Sequence, residues 1–204
     1  MASCWSCQAE VVRGAPFCSS CARIQPVGRH EDYFSLFGLH REFDVDPPEL
    51  DRRFRELSRR FHPDRFARAG PRERRLSLDW ATRINDAYRC LRDWRMRAAY
   101  LLRLAGMDPL AEGRTFADPD FLEEQLEWRE AIAIARADGD RDRLDRIAAD
   151  ARARLRELEE EVARRFADER WFSDMPVDIA RRLSRARYYD NIVSDAERAA
   201  SAHR

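Results

Sequence analysis

Along three stretches of the chain the apolar residues recur in steps of three and four. They are Leu50, Phe54, Leu57 and Phe61; then Ala81, Ile84, Tyr88 and Leu91; then Leu144, Ala148, Ala151, Leu155, Leu158 and Val162. Such series lie on one face of an α-helix, so each stretch is predicted to be a helix with one apolar stripe to bury. Composition excludes much else. Valine, isoleucine and threonine are scarce, glycine is 7 of 204 residues, and Arg and Ala, with Asp, Leu and Glu, dominate, which leaves little material for a sheet. With 44% hydrophobic residues the chain can still bury a core despite being 37% charged. The expected fold class is all-α.

Proline, glycine and aspartate punctuate the helices. Asp32–Leu39 reads as a short aromatic helix. Asp46 then supplies an N-cap with Pro47 and Pro48 in the first turn, and Pro63 stops the helix that carries Phe61. A third helix is predicted over Arg72–Leu91 and a short fourth over Met96–Leu104. Gly106–Ala117 is rich in turn residues and reads as a linker. Three more helices, Asp120–Ala137, Arg141–Phe166 and Val177–Ala200, are separated by Asp138-Gly139-Asp140 and by Pro176, and suit an antiparallel three-helix bundle. The expected domains are a cysteine module over 1–28, a helical domain over 29–105, the linker over 106–117 and the bundle over 118–204.

Cys4, Cys7, Cys18 and Cys21 form two C-x2-C pairs ten residues apart. Two thiolates on a tight turn can fill two corners of a tetrahedron, and a second pair closes it, so structural Zn²⁺ is expected. Iron, or a pair of redox dithiols, remains the alternative. Four protein ligands leave no open coordination position for catalysis. A segment this short has no core of its own, so the metal would supply its folding energy. Cys90, far from the others in a helical pattern, reads as a buried small apolar residue. The first residues lack a charged start followed by an apolar run, and the mid-chain run Ala98–Leu102 is far too short to cross a bilayer, so a cytoplasmic protein with no membrane partner is expected.

Thirty-eight basic residues, all arginine, cancel thirty-eight acids. That balance gives no reason to expect a general nucleic-acid binder, and without lysine there is no Schiff-base chemistry. Locally the charge is far from even. Residues 50–75 hold ten arginines against four acids, and residues 117–130 six acids against one arginine, which suggests two partners docking at two poles. No Gly-rich phosphate cradle is visible, so no bound nucleotide is expected. Four histidines (His30, His40, His62, His203) and no nucleophile motif leave no catalytic constellation, so the chain is not expected to be an enzyme.

His62, Pro63 and Asp64 join the second and third helices, and Arg52, Arg53, Arg55, Arg59 and Arg60 lie off the apolar face just before them. The tripeptide alone reads as a helix stop. With its basic helix it resembles the J-domain family, co-chaperones that stimulate ATP hydrolysis by DnaK-type chaperones. The resemblance implies that His62, Pro63 and Asp64 engage the chaperone, with Arg52, Arg55 and Arg59 as docking charges. Over residues 31–195, the segments Asp32–Leu39, His62–Ala67, Ile84–Tyr88, Arg97–Leu102 and Asp120–Glu127 closely resemble the HscB family of iron-sulfur cluster assembly.

That resemblance implies a J-domain joined to a three-helix bundle in an L shape. It also implies the task of bringing an IscU-type scaffold to a DnaK- or HscA-type chaperone and aiding cluster transfer. The implied scaffold-binding positions are Leu122, Leu126, Glu127, Arg129 and Glu130, with Arg187 and Tyr188 on the last helix. Read from the residues alone, Phe121, Trp128, Ile132 and Ala135 make a core stripe that leaves Leu122 and Leu126 to one side, rimmed by acids. The same pattern also reads as a wide core stripe with solvated glutamates. Glu123 and Tyr188 depart from the family's usual apolar residue and phenylalanine, which would make the contact more polar. The cysteine module is a further departure from the compact bacterial form. Two alternatives stay open: a zinc-ribbon regulator that binds nucleic acid, against which residues 1–30 carry only three arginines, and a general J-domain co-chaperone with another client.

Overall fold

The computed structural model describes residues 2–12, 14–28, 32–109, 119–168 and 170–202. Most of the expected linker therefore lies outside the described residues. The chain divides into two compact units, Met1–Met96 and Arg97–Arg204. Among the described residues the architecture is all-α apart from a two-stranded hairpin and an isolated bridge. Among the described residues no helix is long and apolar enough to cross a membrane.

The first unit opens with β1 (Ala2–Ser3) and β2 (Glu10–Val11), paired antiparallel with Ala2 opposite Val11. Helix α1 (Tyr33–Phe37) is capped by Asp32, whose carboxylate accepts from the Ser35 amide at 2.8 Å. It ends at Gly38, where φ is +64°, a conformation that favours glycine, and an added Cβ would crowd the Arg53 guanidinium at 3.1 Å. Helix α2 (Pro47–Arg60) is followed by a single 3₁₀ turn, Pro63–Phe66, and by α3 (Pro71–Arg92). Helix α3 packs against α1, α2 and that turn. Phe34, Phe37, Leu50, Phe61, Leu76, Trp80, Ile84, Ala87 and Leu91 are buried. The inner face of α3 thus centres on Trp80, Ile84 and Ala87, and the predicted Ala81 and Tyr88 lie at its half-buried margins.

Helix α4 (Trp94–Leu104) crosses the boundary between the units. The second unit then contains α5 (Pro119–Ala137), α6 (Arg141–Phe166), a one-turn α7 (Trp171–Asp174) and α8 (Pro176–Ser201). Gly139, at φ +66°, turns the chain between α5 and α6, and Asp140 caps α6 by accepting from the Arg143 amide. Helices α5, α6 and α8 pack pairwise into the expected bundle. Their shared core is rich in alanine: Ala135, Ala148, Ala151, Ala196, Ala199 and Ala200 sit among Leu144, Ile147 and Ile192. The α6 stripe is as predicted except that Leu155 is half-buried and Ile147 is buried.

Candidate functional site

The two cysteine knuckles are built alike. In each, the residue after the second cysteine takes a left-handed conformation, Gln8 at φ 64° and Ala22 at φ 57°. The amide of that residue donates back to the carbonyl of the first cysteine, Gln8 to Cys4 at 3.1 Å and Ala22 to Cys18 at 2.9 Å. The first cysteine donates across the hairpin in turn, Cys4 to Ala9 and Cys18 to Arg23. The β1–β2 pair flanks the first knuckle, and a bridge between Phe17 and Ile24 flanks the second.

These turns bring the four sulfurs within 4.8 Å of one another, with Cys4–Cys21 and Cys7–Cys18 both at 3.7 Å. Metal–sulfur bonds of about 2.3 Å in a tetrahedron require sulfurs about 3.8 Å apart, so the donor set fits one four-coordinate soft ion. The Cys7 amide donates toward the Cys4 sulfur and holds that thiol down at about 6, and the Cys21 amide lowers Cys18 in the same way. Cys7, although the Ala9 amide favours its thiolate, is pushed up to about 12 by Cys21, burial and the other two sulfurs. Thiolates packed this closely therefore need a cation to coexist. Cys90 takes no part; it is buried and its thiol points to the Met96 carbonyl at 3.6 Å.

The knuckles, expected to stand as a module of their own, are joined to α2 and α3 within the first unit. Phe17, Phe61 and Trp80 form a run of near-parallel rings, with centroids 5.4 and 4.5 Å apart and 13° between planes at each step. The Arg60 guanidinium lies 4.8 Å from the Phe17 centroid, and that of Arg72 lies 4.5 Å from Trp5. Arg23 pairs with buried Glu73, and the Trp80 indole donates to the Gln25 carbonyl at 2.8 Å.

Phe61 is fully buried, and the next residue faces solvent. The His62 and Asp64 side chains are 56% and 90% exposed, and Nδ1 of His62 accepts from the Asp64 amide at 3.3 Å, which shapes the turn. On α2, Arg52, Arg55 and Arg59 are all exposed but not equivalent. Arg52 pairs with Glu49 and Glu56, each at 2.7 Å, whereas Arg55 and Arg59 make no ion pair among the described residues. Its hydrogen bonds from Arg52 and then Arg53 hold Glu49 down at about 2. Arg53 also donates to the Phe37 and Gly38 carbonyls and so serves the fold.

In the second unit Phe121 is buried, while Leu122 and Leu126 are 59% and 66% exposed. They lie outside the core, so the wide-stripe alternative does not hold. Glu127, Arg129 and Glu130 are exposed beside them on α5, and Arg187 is exposed on α8. Tyr188 is half-buried, edge-on to Phe121 at 5.3 Å, and its hydroxyl donates to the Gln125 carbonyl at 2.7 Å. Glu124 was not legible as a structural residue, yet it accepts from Tyr189 at 2.6 Å and from the Trp128 indole at 3.2 Å. Burial, then the Glu124 charge, push the Tyr189 hydroxyl well above its ordinary range.

The family model described as the HSCB C-terminal oligomerisation domain matches residues 117–197. The chain is 49% identical over 126 residues to the co-chaperone protein HscB homolog of Ralstonia nicotianae, covering 62% of this chain and 72% of that one. It is 40% identical over 166 residues to the HscB homolog of Aromatoleum aromaticum, covering 81% and 93%. Its structure is similar to the crystal structure of human co-chaperone protein HscB, with TM-score 0.86, 29% identity and coverage of 96% and 97%. That coverage is too complete to leave out the cysteine segment. The chaperone HscB from Vibrio cholerae gives TM-score 0.70 at 33% identity, covering 82% of this chain and 96% of that one.

Proposed function

The chain belongs to the HscB family of co-chaperones, and on that premise we propose that it delivers an IscU-type scaffold to a DnaK- or HscA-type chaperone and stimulates that chaperone's ATPase. The observation that carries the reading is the turn after α2, where His62 and Asp64 face solvent at the end of a helix bearing Arg55 and Arg59, which make no ion pair among the described residues. Exposed like charges steer and orient an acidic partner more than they add affinity. The turn then offers a few directional hydrogen bonds from a fixed backbone, and the nucleotide chemistry stays with the partner. In the second unit Leu122 and Leu126, rimmed by Glu127, Arg129 and Glu130, provide an apolar anchor with a polar edge for the scaffold. Joining the two partners on one chain raises their effective concentration for each other and so aids iron-sulfur cluster transfer.

Zn²⁺ in the four-cysteine site would be structural, held by Cys4, Cys7, Cys18 and Cys21. Among the described residues, Arg23, Arg60 and Arg72 face Glu73 and aromatic rings at the knuckles, which supports a role in the fold rather than in nucleic-acid binding. The test is the ATPase rate of a DnaK-type chaperone with the wild-type chain and with His62→Gln. Stimulation by the wild type and its loss in a folded variant are expected, and equal stimulation by both would refute the reading.

A further inference from the structure

We propose that the four-cysteine knot positions the His62-Pro63-Asp64 turn, so that metal loading sets how well the turn is presented; the consequence for activity rests on the co-chaperone reading, the geometry does not. The knot clasps the turn on both sides. Before it, Phe17, next to Cys18, stacks on Phe61, next to His62, and Arg60 lies over the same Phe17 ring. After it, Arg72 lies over Trp5, between Cys4 and Cys7, and Glu73 pairs with Arg23, two residues past Cys21. Between these grips Gln25 reaches both sides. Its side-chain amide donates to the Cys4 sulfur at 3.4 Å, and its carbonyl accepts from Trp80, the ring on which Phe61 lies.

The His62 and Asp64 side chains are open to solvent, so what places them is the packing of the turn on α3 and the grip on its flanks. The buried neighbours Phe61 and Glu73 must therefore hold its ends, and both are gripped by residues within two positions of a cysteine. Among the described residues the knuckles have a small apolar cluster, Cys4, Val11 and Cys18 with half-buried Ala9, Ala15 and Cys21 against it, so their shape depends on the sulfurs being held together. Metal in the knot thus fixes the rings, and the rings fix the turn. Phe17 and Gln25 are the positioning residues.

The test uses the full chain, zinc-loaded and then stripped with a chelator, beside Phe17→Ala, Phe17→Tyr and Gln25→Ala, which keep all four cysteines. Hydrogen exchange across residues 61–70 is the first readout. Stripping, or Phe17→Ala at unchanged metal content, should raise it roughly 2- to 10-fold, the range an aromatic pair supports, while Phe17→Tyr restores protection. The second readout is stimulation of a DnaK-type chaperone. Phe17→Ala should lower maximal stimulation by about two-fold or more, with the half-maximal concentration, set by Arg55 and Arg59, little changed. A loss of thermal stability without that split would mean a merely structural role and would overturn the proposal. So would unchanged exchange in both the stripped protein and Phe17→Ala. Increased exchange in a chain whose wild type stimulates no DnaK-type chaperone supports the positioning and removes the co-chaperone reading instead.

Discussion

Tyr88 on α3 donates its phenolic hydrogen to Oδ1 of Asp51 on α2 at 2.7 Å, and its ring stacks on Phe54 of the same helix with centroids 4.0 Å apart. One side chain thus gives the α2–α3 hairpin a polar and an apolar tie. Arg92 donates to the same phenolic oxygen at 2.5 Å, and burial, then Asp51, raise the hydroxyl above its ordinary pKa. Tyr88→Phe keeps the stack and loses the hydrogen bonds, so it should cost about 1 kcal/mol. Tyr88→Ala loses both and should cost about 3 kcal/mol. Urea unfolding of the two variants measures the difference, and equal losses would show that the stack contributes nothing.

The metal site makes a stoichiometric prediction. Elemental analysis of the purified chain should find one zinc per molecule, and Cys18→Ser should lose it, because three thiolates cannot close the tetrahedron. The Co²⁺-substituted protein should show the intense visible bands of tetrahedral sulfur coordination. A folded knuckle segment with no metal, seen as retained exchange protection at residues 2–25, would remove the site.

The helices were legible because steps of three and four survive in any context that buries one face. The doubled cysteine spacing was legible for a similar reason, since tetrahedral coordination tolerates few spacings. What the sequence hid depends on distance along the chain. Phe17 stacks on Phe61, forty-four residues away, and Trp5 meets Arg72, and no local pattern announces such pairs. The hairpin strands are only two residues long, too short for an alternation to register. Trp80 is hidden in the sequence because the apolar series of α3 can be drawn through Ala81, one residue on, a rotation of about 100°. In the sequence Glu124 is like any other acid of α5; what sets it apart is Tyr189, which reaches it from α8, together with Trp128 one turn on.

The exposed arginines of α2 should not contribute equally to chaperone binding. Arg52 is neutralised by Glu49 and Glu56, and those contacts raise its already high pKa further. Arg55 and Arg59 carry no such pairing among the described residues, so Arg55→Glu with Arg59→Glu should slow association about ten-fold or more at low salt. Arg52→Ala should change it less and weaken α2 slightly. Binding kinetics at two ionic strengths separate these effects, and an Arg52→Ala effect as large as that of Arg59→Ala would reject the ranking.

Leu122 and Leu126 are one turn apart and both more than half exposed, whereas the Phe121 beside them is buried. Replacing both leucines with alanine removes a solvent-facing apolar patch from α5 without opening a cavity, and alanine favours the helix. Affinity for an IscU-type scaffold should fall about ten-fold or more, at the 1–2 kcal/mol typical of interface anchors, with helicity unchanged. Calorimetric titration with the scaffold tests it, and an unaltered Kd would remove this patch from the interface. Glu124→Gln is the contrasting variant, because it weakens the grip of Trp128 and Tyr189 and should lower the bundle's stability instead.

Acid should loosen the bundle through Asp178, in the first turn of α8, where a negative charge also suits the helix dipole. Burial alone would raise this carboxyl, but hydrogen bonds and charge from Arg165 and Arg182 outweigh it and leave the pKa below the ordinary value. Arg165 reaches it from the C-terminal end of α6, and Arg182 also binds Glu161 at 2.7 Å, so the cluster fastens α6 to α8. A depressed folded-state pKa means that the contribution is complete above the unfolded value of about 3.9 and disappears as pH falls through the folded one. The side chain is 38% exposed, so solvent screening limits the contribution to about 1 kcal/mol. Asp178→Asn should therefore be less stable than wild type at pH 7 by about that amount. The two proteins should begin to converge as pH falls below about 4 and finish as it passes through the depressed folded-state pKa, where the wild-type carboxylate takes up its proton. Denaturant midpoints measured from pH 7 to pH 2 test this, and a gap that persists undiminished at the acid end would show that Asp178 acts through shape rather than charge.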